Sequence, residues 1–150
     1  MAETLIEPAG ATDAAEIAEV FLASRADALP YLPKVHGDDE TRDWIANQLV
    51  PLCQVWVARH AGRIVGFLAL HGDCLEQLYL RPGWYRRGIG SALLAQAKQA
   101  NPDRLRLFTF QANHRARAFY EKHGFAAVDF NDGARNEEKT PDVLYEWRGA

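Results

Sequence analysis

The chain has 150 residues, enough for one ordinary domain with its core but not for two, and 48% hydrophobic with 25% charged residues is the balance of a globule rather than of a disordered segment. Its 17 basic and 20 acidic residues leave a net charge of −3, which argues against nucleic acid or an anionic membrane as main partner, because both select a basic field. No stretch approaches the ~20 apolar residues of a membrane span, no early apolar run makes a secretory signal, and Cys53 and Cys74 lack metal-type spacing, so a cytoplasmic protein with free thiols is expected.

Thr4 to Glu7 reads as an opening strand. Asp13, with Glu16 three residues on, then predicts a capping pair for a helix that buries Ile17, Val20 and Phe21 and ends near Arg25. Pro30 and Pro33 make the following segment a loop. Asp38, Asp39 and Glu40 precede a second helix with Thr41, Trp44, Ile45 and Leu49 on one face, and Pro51 is expected to stop it. The period then changes. Val55 to Ala58, a turn at Ala61-Gly62 and Ile64 to Leu70 predict a hairpin of buried strands, and Cys74 to Leu80 a third strand.

Ile89, Leu93, Ala97 and Ala100 recur at helical spacing within Gly88 to Asn101, before Pro102. A strand at Leu105 to Phe110 leads to a helix capped by Asn113 and ended at Gly124, and strands at Ala126 to Phe130 and Val143 to Trp147 close the chain. This order describes a mixed α/β (α+β) architecture, one sheet with helices on its faces.

Two segments carry chemistry. In the first, Leu78 to Leu94, a strand turns into a helix that opens with Arg86, Arg87, Gly88, Ile89, Gly90 and Ser91. Free N–H groups of a first helical turn, the helix dipole and two arginines all favour phosphate or pyrophosphate. An isolated Gly-x-Gly serves a tight turn as readily, but no Lys-Ser or Lys-Thr follows for a P-loop, and the third glycine of a dinucleotide fingerprint is missing. In the second, Phe108 to Phe125, Asn113, Ala116, Phe119, Tyr120 and His123 fall along one side of a helix. Taken alone, its aromatics would be core residues.

In this order the two segments resemble the GNAT superfamily of N-acetyltransferases. Asn113, Ala116, Phe119, Tyr120, Gly124 and Phe125 match its Asn-x-x-Ala-x-x-Phe/Leu-Tyr-x-x-x-Gly-Phe pattern in full. Gly88 and Gly90 match its Gln/Arg-x-x-Gly-x-Gly/Ala motif, from which the chain departs at the first position, Tyr85. The resemblance implies a mostly antiparallel sheet of about seven strands with four helices, acetyl-CoA as co-substrate without a metal, and transfer of acetyl to a primary amine of a small molecule or peptide by direct attack on the thioester. It places pantetheine beside Leu78, Tyr79 and Leu80, pyrophosphate on the amides from Arg86 to Ser91, and further coenzyme contacts at Asn113, Phe119 and Tyr120. Relatives are often homodimers.

Tyr120, a phenol of pKa about 10, is the expected acid for the departing thiolate. Glu76 is the expected base, acting through water; period-two geometry sends it to the face opposite Gln77 and Tyr79. His36, Asp73, Asp142 and His71 are reserves, and a backbone N–H at Leu80 is the expected oxyanion donor. The acceptor pocket is expected between the Tyr31 to Glu40 loop, the strand around Glu76 and the loop from Asn131 to Glu138, whose carboxylates suit a cationic amine. The competing reading is a regulatory module that binds acyl-CoA without transferring anything.

Overall fold

The computed structural model describes residues 3–149. In chain order the elements are β1 (Thr4–Pro8), α1 (Ala14–Ala28), α2 (Asp38–Trp44), α3 (Val50–Leu52), β2 (Gln54–His60), β3 (Arg63–His71), β4 (Cys74–Leu80), α4 (Ile89–Ala100), β5 (Arg104–Phe110), α5 (His114–Lys122), β6 (Ala126–Asn131) and β7 (Asp142–Arg148). The seven strands form one sheet in the order β1-β2-β3-β4-β5-β7-β6. Every pairing is antiparallel except β4 with β5, whose parallel ladder holds at the single pair Cys74↔Arg106.

Both faces of the β1–β4 half are covered, which is why Ile64 to Leu70 is an unbroken apolar run rather than an alternating one. Ile17, Val20 and Phe21 of α1, with Ile45 and Leu49, pack on Val55, Val57, Ile64 and Phe67. On the other face Leu93, Leu94 and Ala97 of α4 and Tyr120 of α5 pack on Leu68, Leu70, Leu105, Leu107 and Tyr145. Each fully buried leucine contributes about 2 kcal/mol of transfer free energy, so these two layers hold β4 rigidly from both sides.

Four local expectations change. Asp13 does not cap α1: its carboxylate accepts from the Gly10 N–H at 2.8 Å and pairs with Arg59 at 2.7 Å, while Glu16 accepts from the Ile64 N–H at 2.7 Å. Helix α1 also runs three residues past Arg25, to Ala28. Pro51 does not stop the second helix; a π-helical turn over Ile45–Leu49 precedes it, and the proline sits within the short α3, one residue from the end of the helical run. Together α2, the π-turn and α3 make one helical rod. Ala100, expected on the buried stripe of α4, is exposed, and Leu94 takes its place in the core.

Candidate active site

Past Cys74 the strands β4 and β5 diverge, and no further pair forms between them. The resulting gap is a narrow cavity of about 80 Å³ lined on one side by Glu76 to Tyr79, on the other by Leu107 to Phe110, and at its inner end by Asn113, Ala116 and Tyr120. Backbone groups of β4 that would face a neighbouring strand instead face this space.

At one mouth of the gap stands the loop into α4. Gly88 is the N-cap with φ +80°, a left-handed conformation that costs a residue with a side chain about 1–2 kcal/mol. Ala92 N–H is the first to close an intrahelical turn, onto the Gly88 carbonyl at 3.0 Å, so the amides of Ile89, Gly90 and Ser91 are free to take an anion. Gly90 also sits in the contact between α4 and α5: a Cβ there would stand 3.4 Å from the Phe119 ring, ordinary van der Waals contact that leaves no room for a larger side chain. Ser91 and His123 join the same contact, Oγ to Nε2 at 3.0 Å. Arg86 and Arg87 are exposed, and Arg87 stacks on Trp84 at 4.7 Å.

Helix α5 presents Tyr120 to the gap. Asn113 caps it by accepting from the Ala116 N–H at 3.2 Å, so that carbonyl oxygen is already engaged, and Gly124 at φ +90° ends it. Tyr120 is buried among Phe119, Phe125 and Tyr145 at ring distances of 5.3, 5.5 and 6.4 Å. Burial, and then the neighbouring Tyr79 phenol, push its pKa well above the ordinary tyrosine value. It therefore holds its proton at any physiological pH, as a proton donor must.

Glu76 corrects a geometric expectation. The register steps from Ala69↔Gln77 to Leu70↔Leu75, which leaves Glu76 as the extra residue of a β-bulge and breaks the alternation on which its facing rested. Its carboxylate lies beside Cys74 and within reach of Cys53, which packs with Tyr79 on the α1 side of the sheet. Burial and then Glu76 raise the Cys74 thiol to about 11, so neither cysteine is poised as a nucleophile. Glu76 is exposed at the rim of the gap.

On the α1 side a cleft of about 890 Å³ opens, lined by Phe21 and Arg25 of α1, the Leu29 to His36 segment, Trp44, and Glu137 and Glu138 from the loop between β6 and β7. It meets the narrow gap at Leu29 and Gln77, which line both. Arg25 pairs with Glu138 at 3.1 Å and lies 5.3 Å from the Phe21 ring centre. His36 bridges Glu40 and Glu137, each at 2.8 Å, and both carboxylates hold its pKa above the ordinary histidine value, Glu137 foremost. Of the four reserve residues only His36 lines the cleft. His71 is exposed at the end of β3, Asp73 pairs with Arg104, and Asp142 is buried against Asn136. Sequence reasoning missed Phe21, Arg25 and Leu29, which read there as a core residue of the first helix, its end and the start of the proline loop.

The acetyltransferase (GNAT) domain model matches residues 51–127, which contain the hairpin, β4, the Gly88 loop and α5. A peptidyl-lysine N-acetyltransferase of Escherichia coli, YiaC, is 30% identical over 148 residues, 95% of this chain and 96% of that protein.

The chain belongs to the GNAT acetyltransferase family. The solution structure of apo YjaB from Escherichia coli superposes with a TM-score of 0.81 over 99% of both chains at 22% identity. PaiA N-acetyltransferase of Thermoplasma acidophilum, solved in complex with coenzyme A, gives 0.75 over 97% of this chain and 99% of its own at 21% identity. The seven-stranded, mostly antiparallel sheet with its four helical rods is thus the GNAT fold. The protein is an acetyltransferase, and acetyl-CoA is its co-substrate. Splayed strands and unused helix amides fit that coenzyme's extended pantetheine and its diphosphate. Among the described residues no helix is long and apolar enough to cross a membrane.

Proposed function

We propose that the protein transfers the acetyl group to the side-chain amine of lysine in a peptide or protein. The observation that carries this reading is the junction of the acid-rimmed cleft with the β4–β5 gap at Leu29 and Gln77. A flexible lysine stem of four methylenes crosses such a junction, while the rest of the peptide stays in the wide cleft. Glu40 and Glu137 share a single histidine there and favour a cationic approach, and Phe21, Val35 and Trp44 supply apolar contact for a neighbouring residue. The lysine specificity of the YiaC relative supports the same acceptor class.

In this reading the coenzyme supplies an activated acyl thioester. The amides of Ile89, Gly90 and Ser91, with Arg86 and Arg87, hold its pyrophosphate; Leu78, Tyr79 and Leu80 border the pantetheine, and Asn113 and Phe119 frame the thiol end. Glu76, through water, takes one proton from the lysine ammonium and leaves a neutral amine. The amine nitrogen then bonds to the acetyl carbon, the Leu80 N–H stabilises the developing oxyanion, the carbon–sulfur bond breaks as Tyr120 donates its proton to the sulfur, and the second proton of the nitrogen restores the Tyr120 phenol.

The test is to incubate the protein with acetyl-CoA and, in separate reactions, a lysine peptide, its acetyl-lysine counterpart and small primary amines, following thiol release and peptide mass. A gain of one acetyl on the lysine peptide is expected. Turnover of small amines alone would overturn the acceptor assignment.

A further inference from the structure

Three exposed guanidinium groups lie on the elements that adjoin the coenzyme gap: Arg86 and Arg87 in the loop into α4, and Arg115 near the start of α5. None is ion-paired among the described residues, and neither are Arg63, Arg106, Arg117 and Arg135, whereas the other six arginines are, in a chain of net charge −3. Arg115 is the unexpected member. It lies in the first turn of α5, where the helix dipole disfavours a cation, and it is exposed. Its guanidinium nevertheless stays 4.6 Å from the Tyr85 ring centre, and the Tyr85 hydroxyl donates to Asp27 of α1 at 3.4 Å. A chain of contacts thus runs from the end of α1, over the phosphate loop, to the start of α5. Beside it Arg86 takes φ +62°, a left-handed conformation rare for a residue with a side chain.

Tyr85 occupies the position where the family motif opens with glutamine or arginine, and a phenol offers neither a guanidinium nor an amide donor there. We propose that Arg115, held on the Tyr85 ring, reaches the phosphate in place of the side chain that the motif puts at position 85, and that Tyr85 acts as its positioning residue. An aromatic face fixes a planar guanidinium at little entropic cost while leaving its N–H groups pointing outward, which suits a phosphate oxygen arriving at the mouth. The anion also removes the unfavourable placement of a cation at a helix start.

The inference rests on the coenzyme placement above, and calorimetry separates the two. Wild-type protein that binds neither coenzyme A nor dephospho-coenzyme A sinks that placement. If it binds, Arg115→Ala is expected to weaken coenzyme A about tenfold, the worth of one charge-assisted contact at a partly exposed site. Truncating an exposed side chain spares the core, so the variant keeps its fold. A penalty that persists with dephospho-coenzyme A puts the contact on the pyrophosphate, and one that disappears puts it on the 3′-phosphate. Affinity equal to wild type overturns the proposal. In a Tyr85→Gln background, where the motif's amide is restored, Arg115→Ala should cost much less; an equal cost in both backgrounds refutes the role given to Tyr85.

Discussion

On the α4–α5 side of β4 much of the polar surface is backbone: amides freed at Gly88 and strand groups freed by the divergence of β5. On the α1 side it is carried by side chains, Arg25 with Glu138 and His36 with Glu40 and Glu137. Backbone sites tolerate few residue types, since glycine, a cap and an aromatic must stand at set spacings, whereas a side-chain site can be rebuilt from any charged residues the loops deliver. One half of such a molecule is therefore held to a pattern, and the other is free to set the acceptor.

The largest effect that would sharpen this contrast is expected at Tyr120. Tyr120→Phe keeps the ring packing and removes only the proton, so kcat should fall about 10²-fold with coenzyme affinity unchanged; an unaltered kcat in a thiol-release assay would strip Tyr120 of its catalytic role. Next comes Gly90→Val. Its Cβ alone reaches 3.4 Å from the Phe119 ring, and two further methyl groups force α5 outward, at a cost of about 1–3 kcal/mol in urea unfolding. Stability equal to wild type would mean the α4–α5 contact is loose. Glu138→Gln should act on the other side only, raising KM for a lysine peptide roughly fivefold, about 1 kcal/mol, while KM for acetyl-CoA stays put. A change in the coenzyme KM instead would erase the division between the halves.

The smallest effect concerns the His36 clasp, which is exposed at the cleft. Because its partners raise its folded pKa, the stabilisation is complete below the ordinary value of about 6.5 and is lost as pH rises through the raised value. An NMR titration of the His36 ring should show a midpoint above about 6.5 that returns to it in Glu137→Gln/Glu40→Gln; a midpoint at or below it in wild type would mean the clasp does not form.

Much of the coenzyme half is legible in the sequence because its determinants are local. Asn113 and Gly124 bracket α5, Gly88 opens α4, and the β3 apolar run declares a strand covered on both faces. What escapes is non-local. The bulge at Glu76 depends on how β3 and β4 register, and no period within Cys74 to Leu80 reveals it. Pro51 reads as a helix stop until the π-turn ahead of it is known.

The sequence by itself determined the order of elements, the glycine-opened start of α4 and the family, since backbone-limited positions leave recognisable spacings. Only the tertiary structure decided the junction of the wide cleft with the β4–β5 gap at Leu29 and Gln77, the Arg25–Glu138 and His36–Glu137 pairs spanning 113 and 101 residues, and the seat of Arg115 on Tyr85. The reason is physical: a side-chain contact between distant segments exists only once the sheet has brought them together, and charge and aromaticity alone do not say which partner will be met.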